Sequence, residues 1–225
     1  SGMSYGALSK PAVLALSKGA KKAGCWMNTG EGGISPYHLE GGADLIAQIG
    51  TAKYGYRDKN GHLSHEKLRE AAALDQVKMF EIKLSQGAKP GKGGILPGAK
   101  VTQEIAEIRG IPVGESSISS NRHADIACND DLLDMIVKIR EVTGKPVGFK
   151  FVMGSPDWLE SLCSRINEVG LESAPDFITI DGAEGGTGAA PLEYTNRFGM
   201  PINEGLAFSH NCLVGAGVRD KVRLI

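Results

Sequence analysis

Glycine constrains the fold of this chain more than any other residue type. The sequence holds 31 glycines in 225 residues, roughly twice the usual share. Many of them lie in clusters at residues 30–33, 41–42, 87–98 and 182–188, and the first, third and last clusters follow a short apolar run. Short apolar runs without strict alternation are typical of strands covered on both faces, as in a parallel sheet. Glycine at the ends of such strands lets the backbone approach a ligand.

The apolar runs and the segments between them predict alternating strands and helices. The predicted strands are residues 25–28, 45–49, 79–84, 147–152, 177–180 and 222–225. Apolar residues at helical spacing, with typical start and stop residues, predict helices near 9–24, 102–109, 129–144, 155–170 and 203–216. Strands and helices that alternate at this spacing indicate repeated βαβ units.

The positions of the polar turns favour a barrel over an open nucleotide-binding sheet. The first turn, residues 3–9, lacks the G-x-G-x-x-G fingerprint of a Rossmann fold. Polar, glycine-rich residues instead follow nearly every strand, as expected where all strand-end loops converge on one site. A closed barrel needs eight strands. We therefore expect residues 1–225 to form a single α/β domain, an incomplete (β/α)8 TIM barrel with strands 1–6 and the start of strand 7.

Composition argues against several classes of function. With 25 basic and 26 acidic residues, the chain lacks the cationic surface that nucleic acid requires. No apolar run approaches the roughly 18 residues of a membrane span, and no signal peptide is recognisable. The four cysteines form no C-x-x-C pair, so we expect neither disulfides nor a zinc site, and a reducing, cytoplasmic location. The histidines show no metal-ligand spacing either.

Two lysines, Lys83 and Lys150, lie within apolar strands. An unpaired ammonium is costly in such surroundings, so each lysine is expected to meet an anion or an electron-rich acceptor. For Lys83 the alternative is a salt bridge with Glu81 or another acid. Two inward lysines on separate strands indicate a shared anionic target.

The strand-end loops offer further polar groups, each with a plain structural alternative. Residues 28–33 place an amide, a hydroxyl and the carboxylate of Glu31 at a strand end, although a tight turn with a solvated glutamate explains them as well. The loop with Thr187 could hold a phosphate or line a planar cofactor. It lacks the Gly-Lys-Ser/Thr of a P-loop, which disfavours nucleoside triphosphate chemistry. Arg109 at a helix end is usually a structural residue, and His123 is a weaker candidate for a ligand contact.

Five motifs match one family in order along the chain. They are Met3 to Ser9, Asn28 to Gly33, Gln86 to Gly91, Leu96 to Val101 and Gly185 to Ala189. Together they resemble the FMN-binding synthase domain of glutamate synthase, most closely that of the stand-alone bacterial FMN-binding glutamate synthase-like proteins. The resemblance covers essentially the whole chain.

The resemblance implies a TIM barrel of the FMN-dependent oxidoreductase type, acting on CH–NH2 donors. In that family a flavin, reduced through an iron–sulfur cluster, reduces 2-iminoglutarate, formed from 2-oxoglutarate and ammonia, to L-glutamate. The implied partners are 2-oxoglutarate, free or glutamine-derived ammonia, and an electron donor such as ferredoxin or an NAD(P)H-linked subunit. The family's cluster cysteines lie beyond its seventh strand, so the iron–sulfur cluster is expected only C-terminal to these residues.

The resemblance also implies roles for individual residues. Lys150 would lie near the N1/O2 edge of the flavin, where negative charge builds on reduction. The full set implied to bind the cofactor is Met3, Ser4, Thr29, Gln48, Lys150, Gly185, Gly186 and Thr187. Lys89 and Arg109 would hold the substrate carboxylates, with Gln86 beside them. Lys83 and Glu31 would be catalytic, Glu31 facing the ammonia entry.

Two residues depart from the family pattern. Lys92 replaces a glutamate, and Ile95 replaces a glutamine that contacts 2-oxoglutarate in the family. The alternatives are therefore an FMN oxidoreductase or amino-group transferase for another keto acid, or a noncatalytic barrel fragment.

The open sheet edges of an incomplete barrel favour pairing with another copy, and we expect weak or absent FMN binding by these 225 residues alone.

Overall fold

The computed structural model describes residues 2–185 and 190–225. The helices are α1 (Lys10–Ala23), α2 (Pro36–Glu40), α3 (His65–Ala72), α4 (Gln103–Arg109), α5 (Asn129–Thr143), α6 (Pro156–Val169) and α7 (Ile202–Gly215). The strands are β1 (Trp26–Asn28), β2 (Asp44–Ile49), β3 (Val77–Lys83), β4 (Ile95–Leu96), β5 (Ser117–Ile118), β6 (Val147–Val152), β7 (Phe177–Asp181) and β8 (Arg223–Leu224). The predicted strands and the longer helices all lie within two or three residues of these bounds.

The described chain divides into two compact units, and the first contains strands β1 and β2 and most of β3. Its segments are Ser1–Glu81, Gly94–Ser120 and Glu141–Lys145. Strands β1 and β2 are parallel, with Trp26 opposite Asp44, and Gly2 adds a parallel bridge to Asn28. Strands β4 and β5 form a separate antiparallel ladder.

The second unit contains the end of β3 and the strands β6, β7 and β8. Its segments are Ile82–Gly93, Asn121–Arg140 and Pro146–Ile225. Strands β6, β7 and β8 are parallel neighbours, and the Leu84 N–H donates to the Lys150 carbonyl at 2.9 Å, which places the end of β3 beside β6.

The strand order identifies the fold class. The larger sheet has the order β1-β2-β3-β6-β7-β8, which follows the chain, and at least one helix lies in each connection between these strands. A doubly wound sheet reverses its order at a switch point, whereas a (β/α)8 barrel keeps the chain order. The α/β class and an incomplete TIM barrel are thus confirmed.

The two faces of β6 differ in character, one apolar and one carrying Lys150. Successive side chains of a strand point to opposite faces, so Phe149 and Phe151 share the face away from Lys150. Both rings pack against Trp158 of α6, with centroids 5.9 and 5.0 Å away. The apolar face fixes α6 on the sheet, and the other face presents the lysine to the strand ends.

Two of the helices, α2 and α3, were not predicted. Ser35 begins α2 with a capping box to His38, and the Ser64 side chain accepts the Lys67 N–H at the start of α3. Helix α2 has only 5 residues, and Leu68 is the one large apolar residue among the 8 of α3, so neither gives a clear apolar period. Within residues 2–185 and 190–225, no helix has both the length and the hydropathy needed to cross a bilayer.

Close packing of α1 on α2 depends on Gly41. A Cβ there would overlap Ser17 Oγ, and this buried hydroxyl donates to the His38 carbonyl at 2.7 Å. Because φ is −70° at Gly41, the cost of a side chain is steric. We expect Gly41→Ala to lower the free energy of unfolding by about 1–3 kcal/mol in urea denaturation.

Gly19 on α1 provides the matched control. No atom lies within 4 Å of a Cβ built at Gly19, and alanine is the better helix former. Gly19→Ala should therefore raise the free energy of unfolding by roughly 0.5–1 kcal/mol. Effects of the same sign at Gly19 and Gly41 would contradict the packing role of Gly41.

Candidate functional site

An ion pair joins Lys150, in the C-terminal half of β6, to Asp181, the last residue of β7. Lys150 Nζ is 3.1 Å from Asp181 Oδ2, and the two side chains are 10% and 27% exposed. The same oxygen accepts the Gly87 N–H at 3.0 Å. A Cβ at Gly87 would overlap the Gly182 carbonyl, so only glycine allows this approach. Asp181 thus supplies the counter-charge that burial of Lys150 requires.

The second lysine lies on the neighbouring strand end of the same unit. Lys83 Nζ donates to Gln86 Oε1, and the Lys83 carbonyl is 3.0 Å from His123 Nε2. Because a carbonyl only accepts, His123 Nε2 carries the proton. Lys89 lies in the turn that follows, where its N–H donates to the Gln86 carbonyl at 3.4 Å. Gln86 precedes Gly87, so one loop connects Lys83 to the contacts of Asp181.

In the first unit, the strand ends carry a network of buried amides around Glu81. Glu81 Oε1 accepts hydrogen bonds from Asn28 Nδ2 and Gln48 Nε2, both at 2.7 Å. Thr29 Oγ1 accepts the Gln48 backbone N–H at 3.1 Å. Gln48 and Thr29, two of the predicted cofactor contacts, are therefore held rigidly, because their polar groups bond within the network.

The predicted cofactor contacts Met3 and Ser4 lie on a segment that the first unit holds in place. The Met3 N–H donates to the Asn28 carbonyl at 3.0 Å, and the Met3 carbonyl is 2.8 Å from His38 Nε2. Ser4 packs against Gly30, where a Cβ would lie 2.6 Å from the Ser4 nitrogen and φ is 68°. This contact explains one glycine of the first cluster.

His38 has a defined tautomer. Its Nδ1 accepts the Ser35 backbone N–H at 3.0 Å, so Nε2 carries the proton and donates to Met3. The side chain is fully buried, and this burial lowers the pKa of His38, although the Met3 hydrogen bond opposes the shift. A neutral imidazole therefore positions the Met3 segment.

Arg109 is buried at the end of α4 without full satisfaction of its donors. Nη1 donates to Ser117 Oγ at 3.0 Å and Nη2 to the Tyr5 carbonyl at 3.3 Å, but Nε has no hydrogen-bond partner among the described residues. Gly6 and Gly32 leave room for the guanidinium, since a Cβ at either would lie 3.2 Å from Nη2. Desolvation by burial lowers the pKa of Arg109. A buried cation with an unsatisfied N–H is suited to an anionic ligand.

Fewer contacts are defined for the remaining predicted site residues. Glu31 is half-buried, and a Cβ at Gly94 would lie 2.8 Å from its Oε1. Gly185 has a φ of 145°, which side chains rarely adopt. Gly186 and Thr187 lie outside the described residues.

Three residues with structural roles at these sites were missed by the sequence analysis. Asp181 directly follows an apolar run, and its position next to a strand end was the available signal. Glu81 was considered only as a partner of Lys83. The spacing of Ser35 and His38 matches a capping box, which would have placed the histidine at a helix start.

Parallel strands in chain order, with buried charges at their C-terminal ends, define this chain as a protein of the (β/α) barrel class. Residues 1–225 match the family described as "Conserved region in glutamate synthase". The chain belongs to this family.

Similar proteins agree with the family assignment. The chain is 48% identical over 225 residues to the glutamate synthase large subunit-like protein YerD of Bacillus subtilis (strain 168), covering 100% of the chain and 42% of that protein. It is 38% identical over 228 residues to the archaeal glutamate synthase (NADPH) of Methanocaldococcus jannaschii, covering 99% and 40%. The archaeal-type glutamate synthase (NADPH) of Thermotoga sp. (strain RQ2) is 36% identical over 225 residues, covering 99% and 41%. The chain thus spans about two fifths of the length of these relatives.

The lowered pKa of His38 makes stability depend on pH. The unfolded imidazole takes up a proton near its ordinary pKa of 6.5, whereas the folded one resists it. As pH falls below that value, the unfolded state binds more protons than the folded state, so the free energy of unfolding decreases. Well above that value neither state binds the proton, and the free energy of unfolding does not depend on this histidine. Urea denaturation at about pH 7.5 and at about pH 5 gives the drop in the free energy of unfolding between the two. We expect this drop to be smaller in His38→Gln than in the parent.

Glutamine is a suitable replacement because it occupies the same capping-box position without titrating. Equal losses of unfolding free energy in the parent and in His38→Gln would show that His38 is not held neutral by its burial.

Proposed function

We propose that this chain is the FMN-binding catalytic barrel of a glutamate synthase-like oxidoreductase, which converts 2-oxoglutarate and ammonia, via 2-iminoglutarate, to L-glutamate. The observation that carries the proposal is that each unit of a chain of this family holds a buried cation, Arg109 at the end of α4 in the first and Lys150 on β6 in the second. Fixed buried cations suit an enzyme whose substrate is a dianion and whose cofactor gains negative charge.

The residues present fit a flavin. Lys150 provides an ammonium that is buried yet held in place by Asp181, as required beside the N1/O2 edge of a flavin. When bound, FMN would accept two electrons from the donor and transfer a hydride to the substrate. The residues proposed to hold it are Met3, Ser4, Thr29, Gln48, Lys150, Gly185, Gly186 and Thr187.

A second group of residues would hold the substrate and move protons. Arg109 would bind a carboxylate, with Lys89 at the other carboxylate and Gln86 beside it. Lys83 would lie next to the substrate as a proton-bearing group. Glu31 would accept and return the proton of the incoming ammonia.

The remaining partners follow from the family. Ammonia would come from solution or from glutamine. The names of two relatives specify NADPH, which supports an NAD(P)H-linked donor, with ferredoxin as the alternative. We propose a cytoplasmic protein in which an iron–sulfur cluster outside these residues passes electrons to a single barrel domain.

The test uses the complete purified protein. We expect visible flavin absorbance, its bleaching by anaerobic dithionite, and its recovery with formation of glutamate on addition of 2-oxoglutarate and ammonium. Flavin that is not reoxidised by this pair would remove the glutamate assignment and leave the flavin. A colourless protein that takes up no added FMN would favour a noncatalytic role.

Ile95 favours a second candidate, the same chemistry on a 2-oxo acid with an apolar side chain. Ile95 is paired directly with Ile118 in the β4–β5 ladder, and the two side chains are 66% and 64% exposed. Adjacent exposed apolar side chains gain free energy by covering an apolar group of a ligand. The glutamine of the family loop would instead hydrogen-bond a carboxylate.

Ile95→Gln separates the two candidates. We expect the ratio of kcat/KM for 2-oxoglutarate to that for 4-methyl-2-oxopentanoate to rise about tenfold, or about 1.4 kcal/mol, the size of one hydrogen bond. Val113→Gln is the control, because Val113 is an exposed apolar residue of the same unit. An unchanged ratio in Ile95→Gln would show that residue 95 does not contact the substrate.

A further inference from the structure

Asp181 links Lys150 to the loop that follows Lys83. Its Oδ2 lies 3.1 Å from Lys150 Nζ and accepts the Gly87 N–H at 3.0 Å. Gly87 follows Gln86, which accepts a hydrogen bond from Lys83. A single carboxylate oxygen therefore contacts the buried ammonium and fixes the loop that begins at the other lysine.

The fit around this oxygen is close. A Cβ at Gly87 would overlap the Gly182 carbonyl and lie 3.4 Å from the Asp181 carboxyl carbon. The loop backbone thus rests directly on the end of β7. The Gly87 N–H and the Lys150 ammonium bind the same oxygen, so the loop contact helps to hold the carboxylate beside the lysine.

The distance between the two charges determines how strongly Lys150 acts on a neighbouring anion. A unit charge with an opposite charge about 3 Å away exerts a weaker field on a third group than the same charge alone. The side chain of Lys150 is only 10% exposed, so solvent screens the pair weakly. The carboxylate therefore subtracts from the positive potential that the ammonium offers at the strand ends.

We infer that Asp181 is a positioning residue that sets the effective charge of Lys150 and thereby the reduction potential of the flavin bound there. The inference rests on the proposed function. Two electrons and one proton from the donor convert oxidised flavin to its anionic reduced form, whose added charge lies at N1 and O2. Lys150 favours that form, and Asp181 limits the preference.

The charge and the docking contact of Asp181 can be separated by substitution. Asp181→Asn keeps a side-chain oxygen for the Gly87 N–H and removes the charge, whereas Asp181→Ala removes both. In both variants we expect the equilibrium to shift about tenfold toward reduced flavin, which is about +30 mV for a two-electron couple. The measurement is a reductive titration of the complete flavoprotein against a reference dye.

Only Asp181→Ala should also loosen the loop. We expect faster hydrogen exchange of the peptide around Gly87 in that variant than in Asp181→Asn or the parent. This measurement needs no bound flavin and reports the docking contact directly. Equal exchange in all three proteins would contradict the role of Asp181 in holding the loop.

Asp176, the residue that precedes β7, is a matched control. Its Oδ2 accepts Arg140 Nε at 3.1 Å and the Val147 N–H at 2.7 Å, which repeats the pattern of one cation and one backbone donor. It lies before the first residue of β7, at the barrel end that serves stability rather than ligand binding. Asp176→Asn should therefore lower the free energy of unfolding and leave the reduction potential unchanged.

The outcomes separate a failure of the inference about Asp181 from a failure of the proposed function. Bound flavin whose potential is the same in the parent, Asp181→Asn and Asp181→Ala overturns the inference and leaves the proposed function intact. An equal shift in Asp176→Asn overturns it too, because the effect would then be a general consequence of lost stability. Absence of flavin from the parent protein overturns the proposed function and the inference together.

Discussion

A positive charge buried between parallel strands has to be balanced where it lies, and this requirement organises the second unit. Lys150 faces away from the aromatic layer that joins β6 to α6, so its ammonium reaches the strand ends, where Asp181 meets it at 3.1 Å. The same carboxylate binds the Gly87 N–H. One electrostatic constraint thus fixes a side chain, the end of β7 and a long glycine-rich loop.

Close packing also explains individual glycines. In the first unit, the buried amides of Asn28 and Gln48 converge on one oxygen of Glu81, and the following turn has to pack directly on its neighbours. Gly30 meets the backbone of Ser4 without space for a Cβ. Gly87 in the second unit likewise meets the Gly182 carbonyl, so both turns approach their neighbours as bare backbone. Gly24, Gly91 and Gly217 have open space around a Cβ and adopt a positive φ instead.

Local patterns in the sequence were sufficient for most elements, while partners remote in sequence were not. Strand β6 was predicted with its observed bounds because all its residues are buried, and Gly24 and Gly170 end α1 and α6 as expected. The β4–β5 ladder was missed, since two-residue strands carry no period. Lys150 was recognised as a charge that needs a partner. That the partner is Asp181 depends on the register of β6 and β7, which no local pattern determines.

The buried cations differ in how they are balanced, and this difference supports separate roles. Lys150 has a carboxylate at hydrogen-bond distance, so it offers a reduced charge suited to a group that gains electron density only during reaction. Arg109 donates hydrogen bonds to a hydroxyl and a carbonyl, and the charge of Glu31 favours the protonated form of Arg109. The Nε of Arg109 has no hydrogen-bond partner among the described residues. A guanidinium cannot shed its proton to escape this situation. An anionic ligand would offset this unbalanced charge, so the proposed function places a substrate carboxylate at Arg109 and the flavin at Lys150.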